Sequence, residues 1–480
     1  MTVNCCDVDQ TKLTIDTLPD DALLYLFDFY VAQASKVEAW HTLVHVCRRW
    51  RDLVFGSPRR LNLQIACTNK TPVKEKLSLW PDLPIVISGS CQSSTELDNV
   101  KAALEHHDRV CKIKVFFVQC ELEDIVASLQ KPFPMLTDLE LSALGSSRPF
   151  HPDPSKFLGG STRLRLLALT GIWIPGLLNL LLSTTNLVIL RLDGIRNFRS
   201  FLPDEIVPAL SALTRLEELD LQVVFGQSHP DWVNRRLPPL RRTVLPSLTV
   251  LRVRGITESL EDFMARIDAP QLDELYILIS FSEFYEIIVL HTPHIIEFIG
   301  LIPKLQTPIV AYIGFEADIF KIWVNFISST RISGRASLRL EIFCIDPERQ
   351  FPCLAQFCRS LPSLLHSLEY LCIDEGQFSQ KGQQNHTENT RWLELLQPFV
   401  AVKKLYLSEE FAVYIAHALQ ELGGERVMEV LPDLENVFIA ELQPSGPLDE
   451  VIKEFVAARQ LTSHPITISR WDRKERRAIH

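Results

Sequence analysis

The residue patterns in this chain that could support catalysis are few, and each has a competing structural explanation. The nearest approach to a nucleophile elbow, Gly159-Gly160-Ser161-Thr162-Arg163, lacks the final glycine that a sharp strand-to-helix turn needs, so it reads as a loop. Neither G-x-G-x-x-G nor G-x-x-x-x-G-K-[ST] occurs, and only 18 glycines are spread through the chain, so no phosphate cradle is in view. Cys344, Cys353, Cys358 and Cys372 form the densest thiol group, but their spacing fits no paired C-x-x-C zinc site. Cys358 also shares a helical stripe with Leu354, Phe357 and Leu361, which points to burial as a small hydrophobe. His291 and His294 lack the glutamate and the i, i+4 spacing of a metalloprotease pair, and Pro293 between them argues for a loop. The adjacent acids Glu217-Glu218, Glu409-Glu410 and Asp20-Asp21 cannot easily serve as acid and base together, because neighbours on a strand or helix point apart. The sequence thus predicts no catalytic residue, no metal ligand and no cofactor. A hydrolase or metalloenzyme is the minor alternative, to be recognised by turnover or stoichiometric metal.

The elements behind these residues must be numerous. A chain of 480 residues exceeds one ordinary core, so two or three domains or a repeat array are expected. Hydrophobic residues make up 46% and charged residues 22%, which suits a folded chain with a large core. With 49 Lys and Arg against 59 Asp and Glu, the formal charge of -10 has the wrong sign for neutralising phosphates, which favours a protein partner over nucleic acid. Met1 to Lys12 has neither the basic end nor the apolar run of a secretory signal. The most apolar stretch, Leu272 to Ile327, is interrupted by Glu283, Glu286, Pro293, Pro303 and Lys304, so no membrane span is expected. The 11 cysteines are scattered and odd in number, which suggests reduced thiols and a cytoplasmic or nuclear location. The terminal Arg470, Arg473, Lys474, Arg476 and Arg477 could serve nuclear import or form a solvated tail.

Near the start, Leu18-Pro19-Asp20-Asp21 opens a helix: Pro19 suits its first turn, and the two acids favour its positive end. Leu23, Leu26, Phe27 and Tyr30 then form one stripe, and Leu43, Val46, Cys47, Trp50 and Val54 form a second within Trp40 to Phe55, so two helices are expected. Such a hairpin cannot bury all of this surface alone, and part must face the next domain or a partner.

Leu18-Pro19-Asp20, the phased Leu23, Leu26 and Phe27, and Val46-Cys47-Arg48-Arg49-Trp50 together closely resemble an F-box over about Thr17 to Pro58. The resemblance implies docking onto the Skp-family adaptor of cullin-RING ubiquitin ligases, through Leu18, Pro19, Leu23, Leu26, Phe27, Leu43, Val46, Cys47 and Trp50. One departure is the stretch Val31 to Ala39, longer than the link between the first two helices of many F-boxes. A structural alternative is that these helices simply cap a repeat array, whose terminal repeats need a cover.

Beyond Pro58 one phrase recurs, apolar-x-x-apolar-x-apolar, as in Leu136-Leu139-Leu141 and Leu164-Leu167-Leu169. It starts again at Leu187, Leu216, Leu248 and Leu272, then at Leu368, Val402 and Leu434, with looser copies at Leu61, Ile85 and Val110. The six starts from Leu136 to Leu272 are 28, 23, 29, 32 and 24 residues apart, within or near the roughly 20–29-residue period of leucine-rich repeats. Helical stretches separate the phrases: Thr257 can cap a helix carrying Leu260, Phe263, Met264 and Ile267 on one face. Each unit is then a strand plus a helix, and the fold expected is α/β, an N-terminal helical module followed by an irregular leucine-rich-repeat horseshoe. A plain helical bundle is disfavoured by the phrase's period of two.

The Asn or Cys usual three residues after the phrase is replaced by Leu144, Ile172, Ile195, Val224 and Ile256, so the side-chain ladder at that turn is missing and apolar residues turn inward instead. Register is poorest between about Phe281 and Arg335, and Gly376 to Thr390 reads as an exposed loop. Strand alternation puts the phrase's middle position on the concave face: Glu140, Ala168, Arg191, Asp220, Arg252, Tyr276, Cys372, Tyr406 and Phe438. Of these, Arg191, Arg252, Tyr276, Tyr406 and Phe438 are the candidate substrate contacts. A competing reading has a loop or the C-terminal end covering the rings.

Taken whole, the chain resembles the F-box and leucine-rich-repeat proteins of mushroom-forming fungi. The domain reading is a disordered start over 1–16, an F-box over 17–58, a solenoid over 59–469 and a basic tail over 470–480. The resemblance implies a substrate-recognition subunit that reaches a cullin scaffold through the Skp-family adaptor and holds an unknown protein substrate, with neither nucleic acid nor membrane as partner. The alternative is a leucine-rich-repeat interaction scaffold without ligase attachment.

Overall fold

The computed structural model describes residues 15–34, 37–118, 122–144, 158, 163–172, 177–194, 203–223, 242–280, 292–316, 321–330, 334–343, 347–377, 386–422, 424–440, 447–461 and 464–471. The segment 1–14, Gly159 to Thr162, Ile195, Val224, His291, Cys344 and the tail beyond Trp471 lie outside the described residues. The chain forms two compact units, Met1–Leu164 and Arg165–His480, so the N-terminal helices share a unit with the first repeats.

The first unit opens with three helices rather than the two expected: α1 (Asp20–Gln33), α2 (Trp40–Val44) and α3 (Arg48–Gly56). The stretch Trp40 to Phe55 is interrupted because Cys47 is extended (φ -156, ψ 172), although no Pro or Gly marks the break. Pro19 stands immediately before α1, where its carbonyl accepts the Leu23 N–H at 3.1 Å. Strands then alternate with helices: β1 (Ile65–Thr68), α4 (Val73–Leu79), β2 (Ile85–Cys91), α5 (Ser94–Leu104), β3 (Val110–Val118), α6 (Leu122–Ser128) and β4 (Asp138–Leu144). Pairing is parallel and in chain order from β1 to β4. In β3 the reason is legible: Cys111, Ile113, Val115 and Phe117 are buried, while Lys112 and Lys114 between them face water.

In the second unit the alternation continues with β5 (Leu166–Thr170), α7 (Leu177–Ser183), β6 (Ile189–Asp193), α8 (Pro203–Ser211), β7 (Glu218–Val223), β8 (Thr243–Val244), β9 (Val250–Gly255), α9 (Thr257–Met264), β10 (Ile267–Asp268), β11 (Glu274–Ser280) and α10 (Pro293–Gly300). It ends with β12 (Val310–Glu316), β13 (Lys321–Thr330), β14 (Gly334–Phe343), α11 (Pro347–Arg359), α12 (Pro362–Leu365), β15 (Tyr370–Gln377), α13 (His386–Leu396), β16 (Lys404–Leu407), α14 (Glu409–Gln420), β17 (Asn436–Ala440), α15 (Pro447–Leu461) and β18 (Thr467–Trp471). The sheet runs β5-β6-β7-β9-β11-β14-β13-β12-β15-β16-β17-β18, and β8 pairs with β10 separately. This long parallel sheet with helices between successive strands excludes a plain helical bundle.

The poor register expected around residues 281–335 has a definite cause. β12, β13 and β14 form an antiparallel meander inside the parallel sheet, with β14 beside β11 and β12 beside β15. Two hairpins here replace the strand-plus-helix unit. Gly314 on β12 lies directly under Trp323 on β13: a Cβ there would stand 2.2 Å from the indole, so only glycine admits the ring.

Several local readings need correction. Thr257 is the first residue of α9 rather than its cap, and Ile267 leaves the helix to pair with β8. Gly376 and Gln377 belong to β15, and His386 to Thr390 begin α13, which Trp392, Leu395 and Leu396 anchor in the core. His294 sits in α10 rather than a loop, its N–H donating to Glu261 at 2.9 Å. Arg470 lies in β18 rather than in a tail. At the turn after the phrase, Ile172 does turn inward and Ile256 is half-buried, whereas Leu144 is exposed. A ladder asparagine does exist, in the first repeat: Asn69 donates to the Ser90 carbonyl at 2.6 Å and to Glu96 at 2.9 Å, and its side chain leaves no room for a Cβ at Gly89.

Candidate protein-binding surfaces

In the N-terminal helical module, the motif residues fall into three groups. Leu23, Phe27 and Leu43 are buried together with Leu24, Trp40 and Val44, and form the core of the three helices. Leu18, Cys47 and Trp50 are half-buried, with the Trp50 ring 4.7 Å from that of Phe27. Pro19, Leu26 and Val46 are exposed, Leu26 at 49% and Val46 at 56%. The single stripe expected on α1 is therefore divided, with Leu23 and Phe27 inward and Leu26 and Tyr30 outward. Val46 faces out because it lies in the break between α2 and α3.

The start of α1 is tied to α3. Arg49 donates from Nη2 to the Leu18 carbonyl at 2.6 Å and from Nε to Asp20 at 3.0 Å, so the two halves of the motif meet through one guanidinium. Two exposed rings were not anticipated: Tyr25 at 70% and Phe29 at 65%, one turn apart on α1 and next to Leu26 and Tyr30. The signal was present, since α1 is apolar over too wide an arc for a helix with one buried face. Arg60 lies over the Tyr25 ring at 4.6 Å.

The helical module also packs on the first repeat. Trp40 is fully buried and donates from Nε1 to the Gln64 carbonyl at 2.9 Å. Glu38 accepts the Ala66 N–H on β1 at 2.8 Å and pairs with Lys76 of α4 at 2.6 Å. These contacts cover the free edge of β1, which would otherwise present unpaired backbone groups.

In the second unit, the middle position forms an unbroken row across the face opposite the helices: Ala168, Arg191, Asp220, Arg252, Tyr276, Arg339, Asn325, Tyr312, Cys372, Tyr406, Phe438 and Ser469. Glu140 occupies the same position on β4 in the first unit, where Lys114 pairs with it at 2.8 Å. The row has a charged half and an aromatic half.

In the charged half the arginines are engaged across strands. Arg191 and Arg252 both reach Glu218, at 3.0 and 2.7 Å, and Arg252 also reaches Glu274 at 3.2 Å. Arg254 bridges Asp193 at 3.1 Å and Asp220 at 2.7 Å. Burial pushes the Glu218 carboxyl up, but the two guanidiniums outweigh it and hold the group below its ordinary value. Asp220 is raised: burial dominates there, and the Asp193 charge adds to it. Next in the row, Tyr276 donates to Glu341 at 2.7 Å, and Lys321 and Arg339 pair with the same carboxylate at 3.0 and 2.8 Å. Burial and this hydrogen bond raise the Tyr276 phenol. Glu341 is only 4% exposed; burial alone would raise it, but the phenol and the two cations keep it low.

The aromatic half departs from expectation. Tyr406 is buried at 8% exposure, its ring stacked on Phe438 at 4.6 Å and met edge-on by Trp471 at 5.4 Å. Tyr312, Trp323 and Cys372 complete this cluster, with Tyr370 and Phe438 partly buried against it. The C-terminal strand thus covers Tyr406, because a row of large rings can bury itself by stacking. Phe438 and Tyr276 remain half-buried.

The residues weighed for catalysis are dispersed. Cys353 and Cys358 are buried on α11, where burial pushes the Cys358 thiol up to about 12, and Cys372 lies on the aromatic face. Glu217 faces solvent while Glu218 turns to the arginines; Asp20-Asp21 and Glu409-Glu410 occupy first helical turns. Among the described residues, no three His, Cys, Asp or Glu side chains are placed to hold a metal ion, and no helix is long and apolar enough to cross a membrane.

No family model matches this chain, and no curated protein matches it. Among solved structures, the leucine-rich repeat-containing protein LegL7 from Legionella pneumophila is similar at 13% identity, over 82% of this chain and 97% of that chain, with a TM-score of 0.28. So loose a superposition adds nothing to the fold, which rests on strand order and register.

Proposed function

We propose that this chain is a non-catalytic adaptor whose N-terminal helices dock onto a Skp-family protein of a cullin-RING ubiquitin ligase and whose repeat sheet holds a protein substrate. The observation that carries the reading is the outward set on these helices: Leu26, Val46, Tyr25 and Phe29 stay exposed on a module that already has a closed core. Exposed large apolar side chains gathered on one surface helix, as Tyr25, Leu26 and Phe29 are on α1, mark a contact site more often than an accident of packing. The F-box resemblance supplies the kind of partner, and the Arg49 link between the two motif halves supports it. On the sheet, Arg191, Arg252, Tyr276 and Phe438 offer the residue types in which interfaces concentrate their energy, with the buried Tyr406 stacked beside Phe438. Ubiquitin transfer belongs to other subunits in this reading.

The second reading, a repeat scaffold without ligase attachment, is favoured by the Trp40 and Glu38 contacts, which give the N-terminal helices a capping role of their own. Affinity capture of the full chain with purified Skp-family adaptor separates the two. Saturable binding supports the first reading; a folded chain that retains no adaptor supports the second.

A further inference from the structure

We infer that the joint between the N-terminal helices and the first repeat loosens on mild acidification, with His41 as the proton-sensitive group. This concerns the joint itself and stands whether or not the helices bind an adaptor. His41, on α2, stacks its ring on Trp80 at 4.4 Å and 17°, and Trp40 meets it edge-on at 4.0 Å. Its Nε2 is sealed from solvent and has no hydrogen-bond partner among the described residues. Its Nδ1 faces Glu38 at 4.0 Å. Glu38 is the carboxylate that already holds the Ala66 N–H of β1 and the Lys76 ammonium of α4.

Neutral imidazole suits this place, because one tautomer leaves Nε2 as a bare acceptor, whereas the protonated ring must bury an N–H that nothing receives. The positive ring would also stand near Lys76 and His45, while Glu38, whose Oε1 holds Ala66 and Lys76, presents Oε2 to Nδ1 at 4.0 Å, beyond hydrogen-bond reach, and leaves the Nε2 side without an acceptor. Burial is the largest influence lowering the His41 pKa; Glu38 opposes it, and Lys76 and His45 add to it. The sign follows: the joint is fully stabilised above the ordinary histidine value of 6.5 and weakens as pH falls from there towards the folded-state value.

The test is hydrogen exchange of the full chain between pH 7.5 and 5.0, corrected for intrinsic exchange rates and read at residues 40–44 and 65–68. Protection there should fall by up to about tenfold per pH unit, the limit for one proton, and then level off. Distant strands such as β9 should hold theirs. His41→Phe keeps the stacked ring without the titration and should abolish the fall. Lys76→Gln removes a neighbouring cation and frees Glu38, and should reduce it. Protection that does not change with pH in the unsubstituted chain, or a fall of the same size in either variant, overturns the inference.

Discussion

The guanidinium of Arg49 holds the Leu18 carbonyl at 2.6 Å, which fixes the backbone entering α1 against the first turn of α3. The same side chain pairs with Asp20, partly in water, so its contribution to folding is small. Its effect should appear in binding instead. Arg49→Ala should leave the melting temperature within a few degrees and weaken adaptor binding about fivefold, because the loop must then be ordered at the cost of roughly 1 kcal/mol. Arg49→Lys should not restore the affinity, since an ammonium lacks the fork that reaches both partners. Titration calorimetry with circular dichroism on the same samples checks both statements.

The division of the apolar residues on the N-terminal helices makes a second, sharper prediction. Leu23→Ala and Phe27→Ala remove buried side chains and should cost about 2–5 kcal/mol in chemical denaturation. Trp50→Phe keeps the ring against Phe27 and removes an indole N–H that is buried without an acceptor among the described residues, so it should cost much less than Trp50→Ala.

For the meander, the central group is Glu341, whose carboxylate receives Tyr276, Lys321 and Arg339. Glu341→Ala leaves two cations and a phenol without it and should destabilise the second unit by about 2–4 kcal/mol. Because its folded-state pKa is lowered, its contribution is present above the ordinary carboxylate value of 4.5 and is lost as pH falls through the lower folded value. Glu341→Gln should therefore show a shallower loss of stability on the acid side, measured by urea midpoints from pH 6 to 3.

Helices and strands could be read from the sequence wherever one residue pattern matched one repeat. Leu190 and Leu192, or Leu251 and Val253, alternate with polar neighbours and are buried as the phrase requires. The meander could not be read, because β12 is apolar on both faces and loses the alternation, while the alternation of β14, with buried Leu338, Leu340 and Ile342 between Arg339 and Glu341, does not say whether a strand runs parallel or antiparallel to its neighbour. In the N-terminal helices, the apolar stripe marks helical segments but does not separate inward from outward residues. The extended Cys47 shifts the helical phase without any proline or glycine to announce it. Strand alternation alone exposes Tyr406 on the concave face; its burial comes from Phe438 and Trp471, one and two strands away, as the alternative of a C-terminal cover requires.

On the sheet, the cross-strand ion pairs change what a charge reversal does. Arg252→Glu would set a third carboxylate between Glu218 and Glu274 as well as alter the outer face. Arg252→Gln removes the cation without adding a carboxylate and leaves Arg191 paired with Glu218, so it should cost less stability than Arg252→Glu, read by urea midpoints, while still weakening substrate capture. Unchanged substrate capture in both variants would place recognition away from this position.

The most direct measurement is equilibrium binding of the full chain to a purified Skp-family adaptor, unsubstituted and as Leu26→Asp with Val46→Asp. Both positions are exposed, so the variant should unfold within about 0.5 kcal/mol of the unsubstituted chain. Docking through these helices predicts saturable one-to-one binding by the unsubstituted chain and a loss of at least about thirtyfold in the variant, on the order of the 2 kcal/mol that separates central contacts from peripheral ones. A folded, unsubstituted chain that binds no adaptor, or a variant that binds equally well, would contradict it.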